Sequence, residues 1–213
     1  MRVESAIKDA FLKLKKKKIN SALLDSEILM SKAINKNREF IILNLQQELN
    51  KDDYFYFKEL INERSKGKPI AYLTGKKSFW KYDFEINENV LIPRPDTEIL
   101  VEQVLNIYKN KRNLNLLDIG SGSGCILLSI LKEKKHFYGT CIDLSNECLK
   151  ISKINADKLG IKNRIKFFKS DIDNFTYGKY DLIVSNPPYI KKFNLKYLEK
   201  GIVSFEPKLA LYG

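Results

Sequence analysis

Four short runs in the second half of the chain carry residues whose types and spacing could do chemistry. Asp118-Ile119-Gly120-Ser121-Gly122-Ser123-Gly124 follows an apolar run and reads as a strand-to-helix loop whose glycines let the backbone approach a ligand. Its G-x-G-x-G spacing departs from the G-x-G-x-x-G of dinucleotide enzymes. Asp143 stands 19 residues beyond Gly124, close to the roughly 20 at which an acid ending the second strand accepts hydrogen bonds from ribose hydroxyls. Asp171 follows a third apolar run and could take an exocyclic adenine amine. The competing explanations are a tight strand-helix turn for the glycines, a helix-initiating acid for Asp143 and plain solvation for Asp171.

Ser185-Asn186-Pro187-Pro188-Tyr189 follows Asp181-Leu182-Ile183-Val184. Two prolines lack N–H groups and fix φ near −65°, so the strand cannot continue through them. An Asn oxygen and a proline carbonyl can each accept one hydrogen of a planar –NH₂ group, and a tyrosine ring can lie against it. A site of this kind would recognise an amide or an aromatic amine; the alternative is a rigid loop.

The elements needed to position these runs are legible as alternating strands and helices. Strands are predicted over 114–118, 137–142, 164–168 and 180–184, with helices from Cys125 to Lys132 and from a Ser145 cap to Gly160. Successive β-α-β units require a parallel sheet, whose carboxyl edge is where ligands sit in open α/β folds. Upstream, residues 1 to about 66 read as helices: 3–14, 22–33, 38–49 and a fourth from Tyr54 to Arg64. Pro69 to Gly75 reads as a loop, Phe79 to Ile86 as a strand, Asn87-Glu88-Asn89 as a turn and Val90-Leu91-Ile92 as the return strand. Asp96 is the expected cap of a helix through Leu100, Val101 and Val104.

Thirty-eight Lys and Arg against 26 Asp and Glu give a formal charge of +12, which suits a polyanionic partner or a lysine-rich solvated surface equally. Cys125, Cys141 and Cys148 show no C-x-x-C pairing and His136 is the single histidine, so no metal site or disulfide framework is expected. No apolar run approaches the roughly 20 residues of a membrane span, and the expected location is the cytoplasm.

The glycine loop with acids after the second and third strands resembles class I S-adenosylmethionine-dependent methyltransferases, and Asn-Pro-Pro-Tyr resembles the branch that alkylates amino groups of adenine, cytosine or glutamine. Pro69-Ile70-Ala71-Tyr72-Leu73-Thr74-Gly75, Leu91 to Glu98 with its Pro93-Arg94-Pro95-Asp96-Thr97-Glu98 run, the glycine loop, Ser185 to Ile190, and Phe205-Glu206-Pro207 with Ala210-Leu211 occur in the order found in HemK-like protein-(glutamine-N5) methyltransferases.

This resemblance implies an α/β protein: a Rossmann-like class I methyltransferase domain over 93–213, a β-hairpin linker over 76–92 and a helical substrate-docking domain over 1–75. It implies S-adenosylmethionine as cofactor and class 1 peptide chain release factors as partners, methylated on the glutamine of a Gly-Gly-Gln motif with no nucleic acid required. Gly120, Ser121, Gly122, Ser123 and Gly124 would line the donor, Asp143 would hold its ribose, and Asp171 with Ile172 would border its adenine. Asn186 would face both donor and acceptor, with Pro187, Pro188 and Tyr189 completing the acceptor site. Because such sheets normally have seven strands, the domain is expected to be truncated after the fourth. The alternatives are a nucleic-acid amino-methyltransferase and a non-catalytic donor-binding module.

Overall fold

The computed structural model describes residues 1–191 and 200–212. The chain divides into two units, Met1–Thr74 with Lys200–Phe205 and Gly75–Glu199 with Glu206–Gly213. Residues 192–199 and 213 of the expected 93–213 domain lie outside the described residues.

The first unit is helical: α1 (Val3–Lys16), α2 (Ala22–Ala33), α3 (Arg38–Leu43), α4 (Lys51–Ser65) and α5 (Ile70–Thr74). Val3, Ala6, Ile7, Ala10 and Leu14 form a stripe at helical spacing, buried with Leu29, Met30, Phe57, Leu60 and Ile61. The Arg64 Nε donates to Asp25 Oδ2 at 2.7 Å and its NH1 to the Lys68 carbonyl at 3.1 Å, so one guanidinium ties α2, α4 and the following turn together. α1 closes with Lys18 N–H on the Lys15 carbonyl and Ile19 N–H on the Leu14 carbonyl, the Schellman pattern, with Lys18 at φ +59°.

Two expectations for this unit are corrected. The predicted 38–49 helix stops at Leu43, because Asn44 turns its side-chain Nδ2 onto the Phe40 carbonyl at 2.8 Å and caps the helix. The chain beyond instead runs extended beside the N-terminus, with Val3 N–H on the Gln47 carbonyl and Leu49 N–H on the Met1 carbonyl. The predicted 69–75 loop contains α5, whose first turn Pro69 pre-organises and which gives way to Gly75 at φ +78°.

In the second unit β1 (Lys76–Phe79) and β2 (Tyr82–Glu85) form an antiparallel hairpin. Then come α6 (Glu98–Ile107), β3 (Asn115–Ile119), α7 (Cys125–Glu133), β4 (Tyr138–Asp143), α8 (Asn146–Lys158), β5 (Ile165–Lys169) and β6 (Leu182–Ser185). β3 to β6 make one parallel sheet in the order β5-β4-β3-β6, a Rossmann-like arrangement with β5 and β6 at its edges among the described residues. Leu116, Leu127, Leu128, Ile130, Leu131, Phe137 and Cys141 are its fully buried centre, and Phe79 and Phe84 of the hairpin join that core edge to face, 6.1 Å apart.

The predicted hairpin is corrected: its turn is Trp80-Lys81, and residues 87–92 form no strand. Trp80 takes φ +58°, which a side chain ordinarily resists. Its Nε1 and the Tyr82 hydroxyl both donate to Glu133 Oε1, at 3.1 and 3.0 Å, and Lys81 Nζ pairs with the same carboxylate. Asp96 likewise does not cap α6; it lies in a 3₁₀ turn, Pro95–Thr97, that leads into the helix.

Candidate functional site

The sheet register alone brings three separate runs together. Ile119 of β3 pairs with Ile142 of β4 on one side and with Ser185 of β6 on the other, so Gly120, Asp143 and Asn186 leave adjacent carboxyl ends. Ser185 Oγ reinforces this by donating to the Ile119 carbonyl at 2.9 Å. Because β3 sends its chain one way to β4 and receives β6 on its other flank, this is the switch point at which open α/β sheets form a crevice.

A cavity of about 540 Å³ lies there. Gly120, Ser121, Gly122, Ser123, Asp143, Asn186, Pro187 and Pro188 all line it. Among the expected site residues, Gly124 sits behind the loop as the N-cap of α7, while Asp171, Ile172 and Tyr189 are exposed and outside the lining. Asp171 caps a 3₁₀ turn, its Oδ1 accepting from Asp173 N–H, and Tyr189 is 80% exposed.

The glycine loop is held in an unusual shape. Gly120, Gly122 and Gly124 have φ +69°, +54° and +79°, a left-handed conformation costly for any side chain. A Cβ added to Gly120 or Gly122 would meet no heavy atom within 4 Å, so it would project into open space where the loop faces the cavity. Asp143 fixes the loop from β4: its Oδ2 accepts from Gly122 N–H and its Oδ1 from Ser145 N–H, both at 2.9 Å. Each oxygen retains a lone pair, so the carboxylate can still accept from a hydroxyl in the cavity.

Beneath the loop Asp118 is 1% exposed, with no hydrogen bond to either oxygen among the described residues. Burial pushes its pKa up to about 8; the Leu127 N–H, near the carboxyl but short of hydrogen-bond geometry, offsets part of that, and the nearby Asp143 carboxylate adds to it. Burial also pushes the Cys125 and Cys148 thiols up to about 12 and about 11, and holds Cys141 well above the ordinary thiol range. All three stay protonated near neutral pH, so none offers a thiolate nucleophile.

At the β6 end of the cavity, Asn186 Nδ2 lies 3.4 Å from Thr97 Oγ1. With its nitrogen turned toward Thr97, Asn186 has its carbonyl oxygen left to accept from a ligand. Arg94 is engaged elsewhere: its NH2 meets Glu206 Oε1 at 2.7 Å, and Glu206 is 4% exposed. That pair anchors the 206–212 segment, from which Pro207, Leu209, Ala210 and Tyr212 contribute a mostly apolar wall. Sequence reasoning left Arg94 and Thr97 without roles, since their partners lie 112 and 89 residues away.

Residues 5–75 match the PrmC N-terminal domain family and residues 95–200 the methyltransferase small domain family. A release factor glutamine methyltransferase of Leptospira interrogans is 43% identical over 203 residues, 93% of this chain and 71% of that protein. One of Clostridium acetobutylicum is 37% identical across 100% of this chain and 76% of its own, and one of Buchnera aphidicola from Acyrthosiphon pisum is 39% identical across 99% and 74%. Likeness at this level over nearly every residue settles the family: the chain belongs to the release factor glutamine methyltransferases.

Proposed function

We propose that the chain transfers a methyl group from S-adenosylmethionine to the side-chain amide nitrogen of the glutamine in the Gly-Gly-Gln motif of class 1 release factors. The observation that carries this reading is Asn186, its amide nitrogen turned to Thr97 and its ring-bordered neighbours Pro187 and Pro188 lining the same cavity as the glycine loop and Asp143.

The cavity residues fit the donor. Gly120 to Ser123 present backbone to it and Asp143 can accept from its ribose hydroxyls. Asp171 and Ile172, outside the lining, would reach its adenine only from beyond Ser170, whose N–H bonds the Asp143 carbonyl. Bound there, the donor would supply a sulfonium methyl group, transferred with its bonding pair left on sulfur as a thioether. A carboxamide nitrogen is a weak nucleophile because its lone pair is delocalised into the carbonyl. Asn186 Oδ1 and the Pro187 carbonyl accept its two hydrogens, which orients the nitrogen and localises density on it. Holding it in line, about 3–3.5 Å from the carbon attacked, supplies most of the rate advantage. The proton then leaves to water, and Tyr189, exposed next to the lining residue Pro188, would offer its ring to the incoming peptide.

No helix among the described residues is long and apolar enough to cross a membrane. A translation factor as substrate is in keeping with a reaction in the cytoplasm. The test is incubation with labelled S-adenosylmethionine and either a class 1 release factor, the same factor with its Gly-Gly-Gln glutamine replaced by alanine, or nucleic acid. One methyl group on the glutamine-containing peptide of the first alone is expected. Label on the nucleic acid and none on the protein would overturn the reading in favour of a base methyltransferase.

A further inference from the structure

α8 carries a buried polar stripe that the reaction chemistry does not use. Cys148, Ser152 and Asn155 recur at i, i+4 and i+7, so they share one face of the helix, and they are 8%, 0% and 1% exposed. Each bonds to backbone of a cavity wall. Cys148 Sγ donates to the Asn89 carbonyl at 3.2 Å, and Ser152 Oγ to the Gly122 carbonyl at 2.7 Å. Asn155 bonds the glycine loop and the hairpin at once: its Nδ2 donates to the Ser123 carbonyl at 2.9 Å and the Glu85 carbonyl at 3.0 Å, while its Oδ1 accepts from Glu85 N–H at 2.7 Å.

A loop with three left-handed glycines has few side chains of its own to hold it, so its shape must be imposed from outside. A trans peptide carries its N–H opposite its C=O. Drawing the Gly122 carbonyl onto Ser152 therefore turns the Ser123 N–H away from α8, toward the side on which Gly122 and Ser123 line the cavity. The fit behind the loop is tight as well, since a Cβ on Gly124 would come within 2.9 Å of Leu128 Cδ1 and 3.2 Å of Ser152 Oγ. Segment 85–89, fixed by Asn155 and Cys148, brings Glu88 and Asn89 into the cavity lining.

From this geometry we infer that Ser152 and Asn155 are positioning residues for the methyl donor, Asn155 locking the glycine loop to the hairpin strand so that both are set before the donor arrives. The inference rests on the donor reading above. It is tested with Ser152→Ala, Asn155→Ala and, as a control, Ile161→Ala, which opens the same core but does not line the cavity.

Two readouts are taken on each folded variant: calorimetric Kd for S-adenosylmethionine, and amide hydrogen exchange of the 120–126 backbone without donor. Asn155→Ala is expected to weaken the donor about tenfold or more, as losing a buried hydrogen-bond network does, and to speed exchange at Ser123 to Ile126. Ser152→Ala should do so to a smaller degree, and Ile161→Ala should lower thermal stability while leaving both readouts at the wild-type level. Equal exchange and equal Kd across the three variants would overturn the inference. A wild-type protein that binds no donor, with exchange still faster in Asn155→Ala, would instead overturn the donor reading and leave the clamp standing.

Discussion

Replacing Asp118 by Asn removes a buried carboxyl while keeping its shape, and the consequence can be worked out in advance. The native carboxyl titrates near 8 against an ordinary 3.8, so between those values the folded protein holds a proton that the unfolded chain has released. Raising the pH through this window therefore favours unfolding, by about 1.4 kcal/mol per unit. Between pH 5.5 and 7.5 this amounts to roughly 3 kcal/mol, a large share of the stability of an ordinary domain. Asn carries no such proton, so its contribution stays constant. Urea unfolding of both proteins at pH 5.5, 6.5 and 7.5 compares them directly, because every other titrating group is shared. The gap should widen in favour of Asp118→Asn by roughly 3 kcal/mol across the series. A gap that stays constant would show that Asp118 is ionised in the folded protein and that burial does not govern it.

Breaking the Arg94 and Glu206 pair from one side strands a carboxylate that is almost wholly buried. Arg94→Met should cost about 2–3 kcal/mol in urea unfolding, less than a fully buried pair because Arg94 is one-third exposed, and adding Glu206→Gln should recover most of it. Equal stability of the single and double variants would show that the ion pair does not hold the 206–212 segment. Lys18 sits left-handed at the end of α1, so Lys18→Gly should raise stability by about 1 kcal/mol, and a thermal midpoint that falls instead would show that its side chain contributes more than its strain.

The sheet was legible because each of its strands is a short apolar run with punctuation that the chain cannot ignore: glycines after β3, Asp143 ending β4, two prolines after β6. Those same markers are the ones the register gathers into the cavity, so Gly120, Asp143 and Asn186 were found as candidates from local pattern alone. What stayed hidden depends on distant partners. Trp80 carries none of the marks of a turn residue, and its left-handed turn is held by Glu133, 53 residues away. The 44–49 stretch leaves its helix because the N-terminal residues supply backbone partners for it. Asn155 reads as an ordinary helix residue until the fold places the Ser123 and Glu85 carbonyls within its reach, and Arg94 as a surface charge until Glu206 is buried beside it. In each case a lone residue type is compatible with many environments, and only tertiary packing selects one.

The acceptor role proposed for Asn186 can be isolated from everything around it by a single-turnover experiment. Wild type and Asn186→Ala are each saturated with S-adenosylmethionine, mixed with a release factor carrying the Gly-Gly-Gln motif, and the rate of methyl transfer is followed by mass spectrometry alongside donor Kd. Loss of one preorganised group at the reacting centre should slow transfer by about 100-fold or more, while donor Kd changes by less than about threefold. Transfer at the wild-type rate, or a loss of rate matched by an equal loss of donor binding, would contradict the role assigned to Asn186.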